Sequence, residues 1–130
     1  MPVLNAEHIA WNVADPPAVA AWYVENLGMR IVRHSPVAPH MHFLADAAGR
    51  IVIEIYNNPV DPVPDYAAMH PARLHFAFAT QDPDGSKAAL LAAGATAVDD
   101  QTSPDGSRLI MLRDPWGLAL QLCKRAAPLL

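Results

Sequence analysis

Apolar and polar residues alternate along a series of short stretches of this chain, and twice the alternation gives way to a helical period. In residues 6–13, Ile9, Trp11 and Val13 share one face while His8, Ala10 and Asn12 share the other, which predicts a strand with one apolar face and one polar, small-residue face. Asp15 followed by Pro16 and Pro17 predicts a helix start, with an N-cap aspartate and prolines in the first turn. The helix is expected to run to about Asn26, to bury Val19, Trp22 and Tyr23 or Val24, and to stop at Gly28. Strands are expected at 29–33, 40–45 and 50–56, separated by turns at 35–39 and 46–49. The first half therefore reads β-α-β-β-β.

A proline-rich link, residues 58–71, is followed by the same order. Residues 73–80 alternate, with Leu74, Phe76 and Phe78 on one face and His75, Ala77 and Ala79 on the other. Asp82-Pro83 opens a second helix, with its body at 86–93 and its stop at Gly94; strands are expected at 95–100, 108–113 and 118–123. His75 lies 67 residues after His8, Gln121 lies 67 after Glu54, and Gly94 lies 66 after Gly28. A nearly constant offset with the same element order is the signature of a tandem duplication. The expected class is α+β, two tandem βαβββ modules in a single domain spanning 1–130, with module 1 at about 5–57, the link at 58–71 and module 2 at about 72–125.

The stretch Arg50–Asn58 raises the chemical question. Ile51, Val52, Ile53, Ile55 and Tyr56 favour a buried strand, yet Glu54 sits among them with no lysine or arginine within three residues. A carboxylate leaving water must be paired, protonated or metal-bound, unless that face stays wet. In phase, Glu54 opposes Ile53 and Ile55, His8 opposes Ile9 and Trp11, His75 opposes Phe76 and Phe78, and Gln121 opposes Leu120 and Leu122. All four fall on the face expected to lack a helix. Each alone reads equally well as an ordinary surface or structural residue. As a symmetric set, two imidazoles, a carboxylate and a carboxamide suit one divalent metal.

Composition narrows the partners. The chain has 130 residues, 52% hydrophobic and 17% charged, which suits a globular domain with a real core. A net charge of −4 without a basic tract argues against nucleic acid. No apolar run is long enough to cross a bilayer, and the first residues lack a secretory pattern. The single cysteine, Cys123, fits a reducing cytoplasm.

Several of these pieces carry a resemblance: A-W-Y-V-E-N-L-G-M (residues 21–29), the Glu54 strand, L-H-F-A-F (74–78) and R-D-P-W-G-L-A-L-Q-L (113–122). Over residues 6 to about 125 the chain resembles the vicinal oxygen chelate superfamily of glyoxalases, bleomycin-resistance proteins, fosfomycin-resistance enzymes, extradiol dioxygenases and methylmalonyl-CoA epimerases. The resemblance places metal ligands in the first and fourth strand of each module, at His8, Glu54, His75 and Gln121, holding Ni, Zn, Mn or Fe. It implies a homodimer, often with each site built from one module of each chain. It also implies a small substrate chelated through two neighbouring oxygens, with an oxyanion stabilised at the metal and Glu54 as ligand and base.

Gln121 departs from the family. Bacterial glyoxalases, fosfomycin-resistance enzymes and extradiol dioxygenases normally carry glutamate there, so this site has one carboxylate where they have two. A glyoxalase-like (lactoylglutathione lyase-like) lyase or isomerase leads; an extradiol-type dioxygenase is second. A metal-free protein that binds a bleomycin-like antibiotic is the reading from a different class. Asn12 stands where glutathione-type glyoxalases have an arginine, and Asn58 where they have an asparagine, although Asn58 also reads as a turn residue before Pro59. Tyr56, in phase with Glu54, is a candidate pocket wall. His42 shares a face with His40 and lies either at the pocket or at a wet sheet edge.

Overall fold

The computed structural model describes residues 1–130. They form two compact units, 1–64 and 65–130. In the first, β1 (Ile9–Asn12), α1 (Pro16–Leu27), β2 (Arg30–His34), β3 (His42–Ala45) and β4 (Val52–Tyr56) build a four-stranded sheet in the order β1-β4-β3-β2. In the second, a 3-10 turn (Tyr66–Ala68) precedes β5 (Phe76–Ala79), α2 (Pro83–Ala92), β6 (Thr96–Thr102), β7 (Arg108–Arg113) and β8 (Ala119–Lys124), in the order β5-β8-β7-β6. The fold is α+β, with two tandem βαβββ modules.

The duplication holds at the level of register. In each sheet the first and last strands pair in parallel and the rest in antiparallel. Ala10 lies opposite Glu54, and 67 residues on Ala77 lies opposite Gln121. The bulges repeat as well, at Ile31/Arg33 between β2 and β3 and at Ala97/Asp99 between β6 and β7.

A parallel pair cannot close through a hairpin, so the intervening chain must cross one sheet face. The helix of each unit lies in that crossover and buries that face. In the first unit Val19 and Tyr23 of α1 are buried, as are Leu44, Ile53 and Ile55 of the sheet. In the second the buried set includes Leu90 of α2 with Ile110, Leu112, Leu120 and Leu122. The opposite faces are left without a helix of their own, and they carry Glu54 and Gln121.

The helix signals act as read. The Asp15 carboxylate accepts from Ala18 N–H at 3.2 Å, and Asp82 does the same for Gly85 at 3.0 Å. Gly28 closes α1 in the left-handed region at φ 68. The strand bounds differ modestly. β1 and β5 begin one residue after His8 and His75, and β6 extends to Thr102 because its whole length pairs with β7.

The proline-rich link divides between the two units. Its first half is held in the first unit by Asn12, whose amide donates to the carbonyls of Asn58 and Asp61, both at 3.0 Å, and accepts from Asn58 N–H at 2.7 Å. Its second half is held in the second unit by Arg113, which donates to the carbonyls of Tyr66 (2.9 Å), Met69 (2.7 Å) and Gly117 (3.0 Å). That arrangement brings the Ala67 backbone against Gly117, where a Cβ would stand 2.6 Å from Ala67 N at φ +96. Gly117→Ala is expected to destabilise the protein by about 3 kcal/mol or more, read as a lower urea midpoint.

At Gly85 the outcome should be the reverse. A Cβ there meets only the movable end of the Asp82 side chain. The equivalent position, 67 residues earlier, is Ala18, and it coexists with the Asp15 cap. Gly85→Ala is therefore expected to stabilise by up to about 1 kcal/mol through helix propensity, raising the melting temperature.

On the surface of the second unit Arg108 reaches Asp84 at 2.7 Å and grips Asp100 through two nitrogens at 3.0 and 2.9 Å, while Lys87 reaches Asp100 at 3.0 Å. The hydrogen bonds from Arg108, then Lys87, lower the Asp100 pKa from the ordinary 3.8 to about 2. Folding lowers this pKa, so the stabilisation is complete above about pH 4 and is lost as the pH falls through about 2. The group is exposed and screened, which limits the network to about 1 kcal/mol. Asp100→Asn is expected to lower stability by up to that amount at pH 7, with the gap to wild type closing as the pH approaches 2 in acid titrations followed by circular dichroism.

Candidate functional site

In the first unit the helix-free face is set by the register Ala10, Glu54 and Phe43 across β1, β4 and β3. His8 immediately precedes β1 and packs edge-on against Phe43, with ring centroids 5.1 Å apart. Its Nε2 lies 3.7 Å from a Glu54 carboxylate oxygen, and its Nδ1 lies 3.6 Å from that of Glu7. The Glu54 side chain is 21% exposed, and the one titratable side chain beside it is His8. No lysine or arginine forms an ion pair with it.

The separation is chemically informative. At 3.7 Å the imidazole and the carboxylate are beyond hydrogen-bond length. Two donors bound to one tetrahedral metal at ordinary bond lengths stand about 3.4 Å apart. The His8–Glu54 pair therefore fits a shared divalent cation with only a small adjustment, and the donor types suit one.

In the second unit the equivalent register is Ala77, Gln121 and Met111 across β5, β8 and β7. His75 immediately precedes β5, and its Nδ1 donates to the Pro71 carbonyl at 2.9 Å. A carbonyl can only accept, so the neutral ring carries its proton on Nδ1 and leaves the Nε2 lone pair open. The Gln121 Oε1 accepts from the Cys123 thiol at 3.3 Å. Burial raises the pKa of that thiol, against a smaller opposing influence of Arg125, which keeps it a donor. Neither unit by itself gathers three or more His, Cys, Asp or Glu side chains into a cluster. The structure thus brings His8 to Glu54 in one unit and sets His75 and Gln121 at the matching positions of the other.

Asn12, Tyr56 and Asn58 do meet, around an open hollow of about 160 Å³ whose remaining wall is Val60, Asp61, Pro62 and Pro64. The polar atoms of the two asparagines are largely engaged by the link: Asn12 holds its carbonyls, and the Asn58 side chain accepts from Val60 N–H at 3.0 Å. What the hollow offers a ligand is mainly the Tyr56 ring, apolar proline and valine surface, and the Asp61 side chain.

His42 is placed differently from the pocket position considered above. It pairs with Ile55, not with Glu54, and is buried on the helix-covered face. Its ring stacks on His34 at 5.5 Å, and its Nδ1 donates to the His40 carbonyl at 2.7 Å. The run Met41-His42-Phe43-Leu44 holds apolar residues in both phases, so alternation did not settle which face His42 takes. The clamping role of Arg113 was also not visible in the sequence, because its acceptors are backbone carbonyls 44 and 47 residues away.

Comparison with known proteins agrees with this fold. A family model described as a glyoxalase-like domain matches residues 8–123. Among solved structures, a glyoxalase family protein from Bacillus cereus superposes with a TM-score of 0.78 at 16% identity, covering 95% of each chain. TnmS3, an antibiotic binding protein from Streptomyces sp. CB03234, superposes with a TM-score of 0.71 at 20% identity, covering 94% of this chain and 96% of its own. A glyoxylase/bleomycin resistance protein/dioxygenase domain from Frankia sp. EAN1pec gives 0.68 at 19% identity, covering 94% and 98%. No curated protein matches in sequence. At these identities the structural neighbours share the fold, while the family match extends over most of the chain: this protein belongs to the glyoxalase-like domain family, within the vicinal oxygen chelate superfamily.

Proposed function

We propose that this protein is a divalent-metal-dependent enzyme, a glyoxalase-like lyase or isomerase acting as a homodimer on a small substrate with two neighbouring oxygens. The observation that carries the proposal is the Glu54 carboxylate, half-buried on a helix-free sheet face, with no cationic side chain to neutralise it and the His8 Nε2 3.7 Å away. The ligand set is His8, Glu54, His75 and Gln121, two donors from each unit. When bound, the metal supplies Lewis acidity toward the substrate oxygens.

The protein groups have separable tasks. Glu54 is the only carboxylate among the four, so it is the group able to accept a substrate proton there. His8 stands beside it and would share the metal with it through Nε2. Gln121 contributes a neutral oxygen, which keeps the ligand set less negative than a two-glutamate site. Tyr56 follows Glu54 on the same face and borders the hollow, where it is positioned to contact the body of a substrate.

A second reading is favoured by the hollow itself, whose free surface is mostly aromatic and apolar: metal-free binding of a small organic molecule. The likeness in fold to an antibiotic binding protein supports keeping it. Metal analysis of protein purified without chelator separates the two. The enzyme reading expects close to one equivalent of Ni, Zn, Mn or Fe per chain; binding none of them, even when added, would overturn it. Glu54→Gln is expected to keep the fold by circular dichroism and to weaken metal affinity at least about 100-fold in calorimetric titration. Unchanged affinity would show that the ligand assignment is wrong.

A further inference from the structure

The segment leading into β5 contains two histidines whose rings are set in opposite tautomers by one turn. His70 opens a turn in which Arg73 N–H bonds the His70 carbonyl at 2.9 Å. The Ala72 N–H also donates to the His70 Nδ1 at 3.0 Å. An accepting Nδ1 means that the neutral His70 ring carries its proton on Nε2. Pro71 occupies the second position of this turn, and its carbonyl accepts from the His75 Nδ1 at 2.9 Å. His75 is therefore the Nδ1–H form, with Nε2 open.

The Nε2–H form is the ordinary preference of a neutral histidine in water, so His75 is held in its minor form by a backbone acceptor. The direction of that acceptor depends on the turn, and the one side chain bonded within the turn is His70. Proline at the second position fixes φ but cannot by itself fix where its carbonyl points.

We propose that His70 is a positioning residue for His75: by accepting the Ala72 N–H it holds the 70–73 turn so that the Pro71 carbonyl keeps the His75 Nε2 lone pair available as a donor. The proposal rests on the metal reading only for its use of that lone pair. His70 is five residues from His75 and acts through the turn, not by touching the ligand.

Long-range proton–nitrogen correlation spectra of the whole chain without added metal, recorded at about pH 8, report each tautomer. Wild type is expected to show His75 protonated on Nδ1 and His70 on Nε2. In His70→Ala the His75 tautomer ratio is expected to move about three- to tenfold toward the Nε2–H form, the size of one exposed hydrogen bond. His70→Asn, whose side-chain oxygen can accept the same N–H, is expected to restore the wild-type pattern. Ni²⁺ affinity, titrated separately, should fall about tenfold in His70→Ala and recover in His70→Asn. A wild-type His75 protonated on Nε2, or a tautomer ratio unmoved by His70→Ala, would overturn the proposal. Wild-type protein that shows the expected tautomers but binds no Ni²⁺ would instead overturn the metal reading and leave the positioning role standing.

Discussion

The parallel pairing of the first strand of each unit with its last is the constraint from which the other features follow. It forbids a hairpin between those strands and sends the intervening chain, with its helix, across one face. It also fixes which side chains share the other face. Ala10 beside Glu54, and Ala77 beside Gln121, put only a methyl group next to each of these central polar side chains. Each histidine stands two residues before that alanine, just ahead of its strand. A one-residue slip in either ladder would send Glu54 or Gln121 into the apolar layer under the helix.

The two units are alike in backbone and unlike in chemistry. Glu54 faces a histidine across 3.7 Å with no cation at hand, whereas Gln121 is a neutral amide already bonded to a thiol. Asn12 and Arg113, which have no counterpart in the opposite unit, each hold one half of the proline-rich link by its carbonyls. The pseudo-symmetry is thus broken at two places, the charge of the polar residue in the fourth strand and the treatment of the link.

Most of the fold was legible because its signals are local. Asp-Pro helix starts, Gly28 at the end of α1 and alternation within strands each act over a few residues, and the 67-residue offset joins them into two modules. The phase of Glu54 was equally legible, since isoleucines flank it on both sides. His42 was not, because its strand is apolar in both phases, and what decides between them is its pairing with Ile55. The roles of Asn12 and Arg113 depend on backbone acceptors more than forty residues distant, and no local pattern marks those. Asn12 was legible as a pocket position; that its amide also ties down the chain lining the same hollow was not.

The paired bulges bear on the behaviour of the protein in concentrated solution. β2 and β6 each form one of the two edges of their sheets, and residues on them, Ile31, Val32 and Val98, present apolar side chains to water. A straight outer strand with such side chains is a template on which another chain can add, and repeated addition leads to fibrils. Both strands lose regular register at the same relative place, at Ile31/Arg33 and Ala97/Asp99, and both carry charged groups there. An incoming strand would meet a ladder that changes step midway and a charge at the break. The duplication that copied the polar positions of Glu54 and Gln121 also copied a barrier to sheet growth at the β2 and β6 edges.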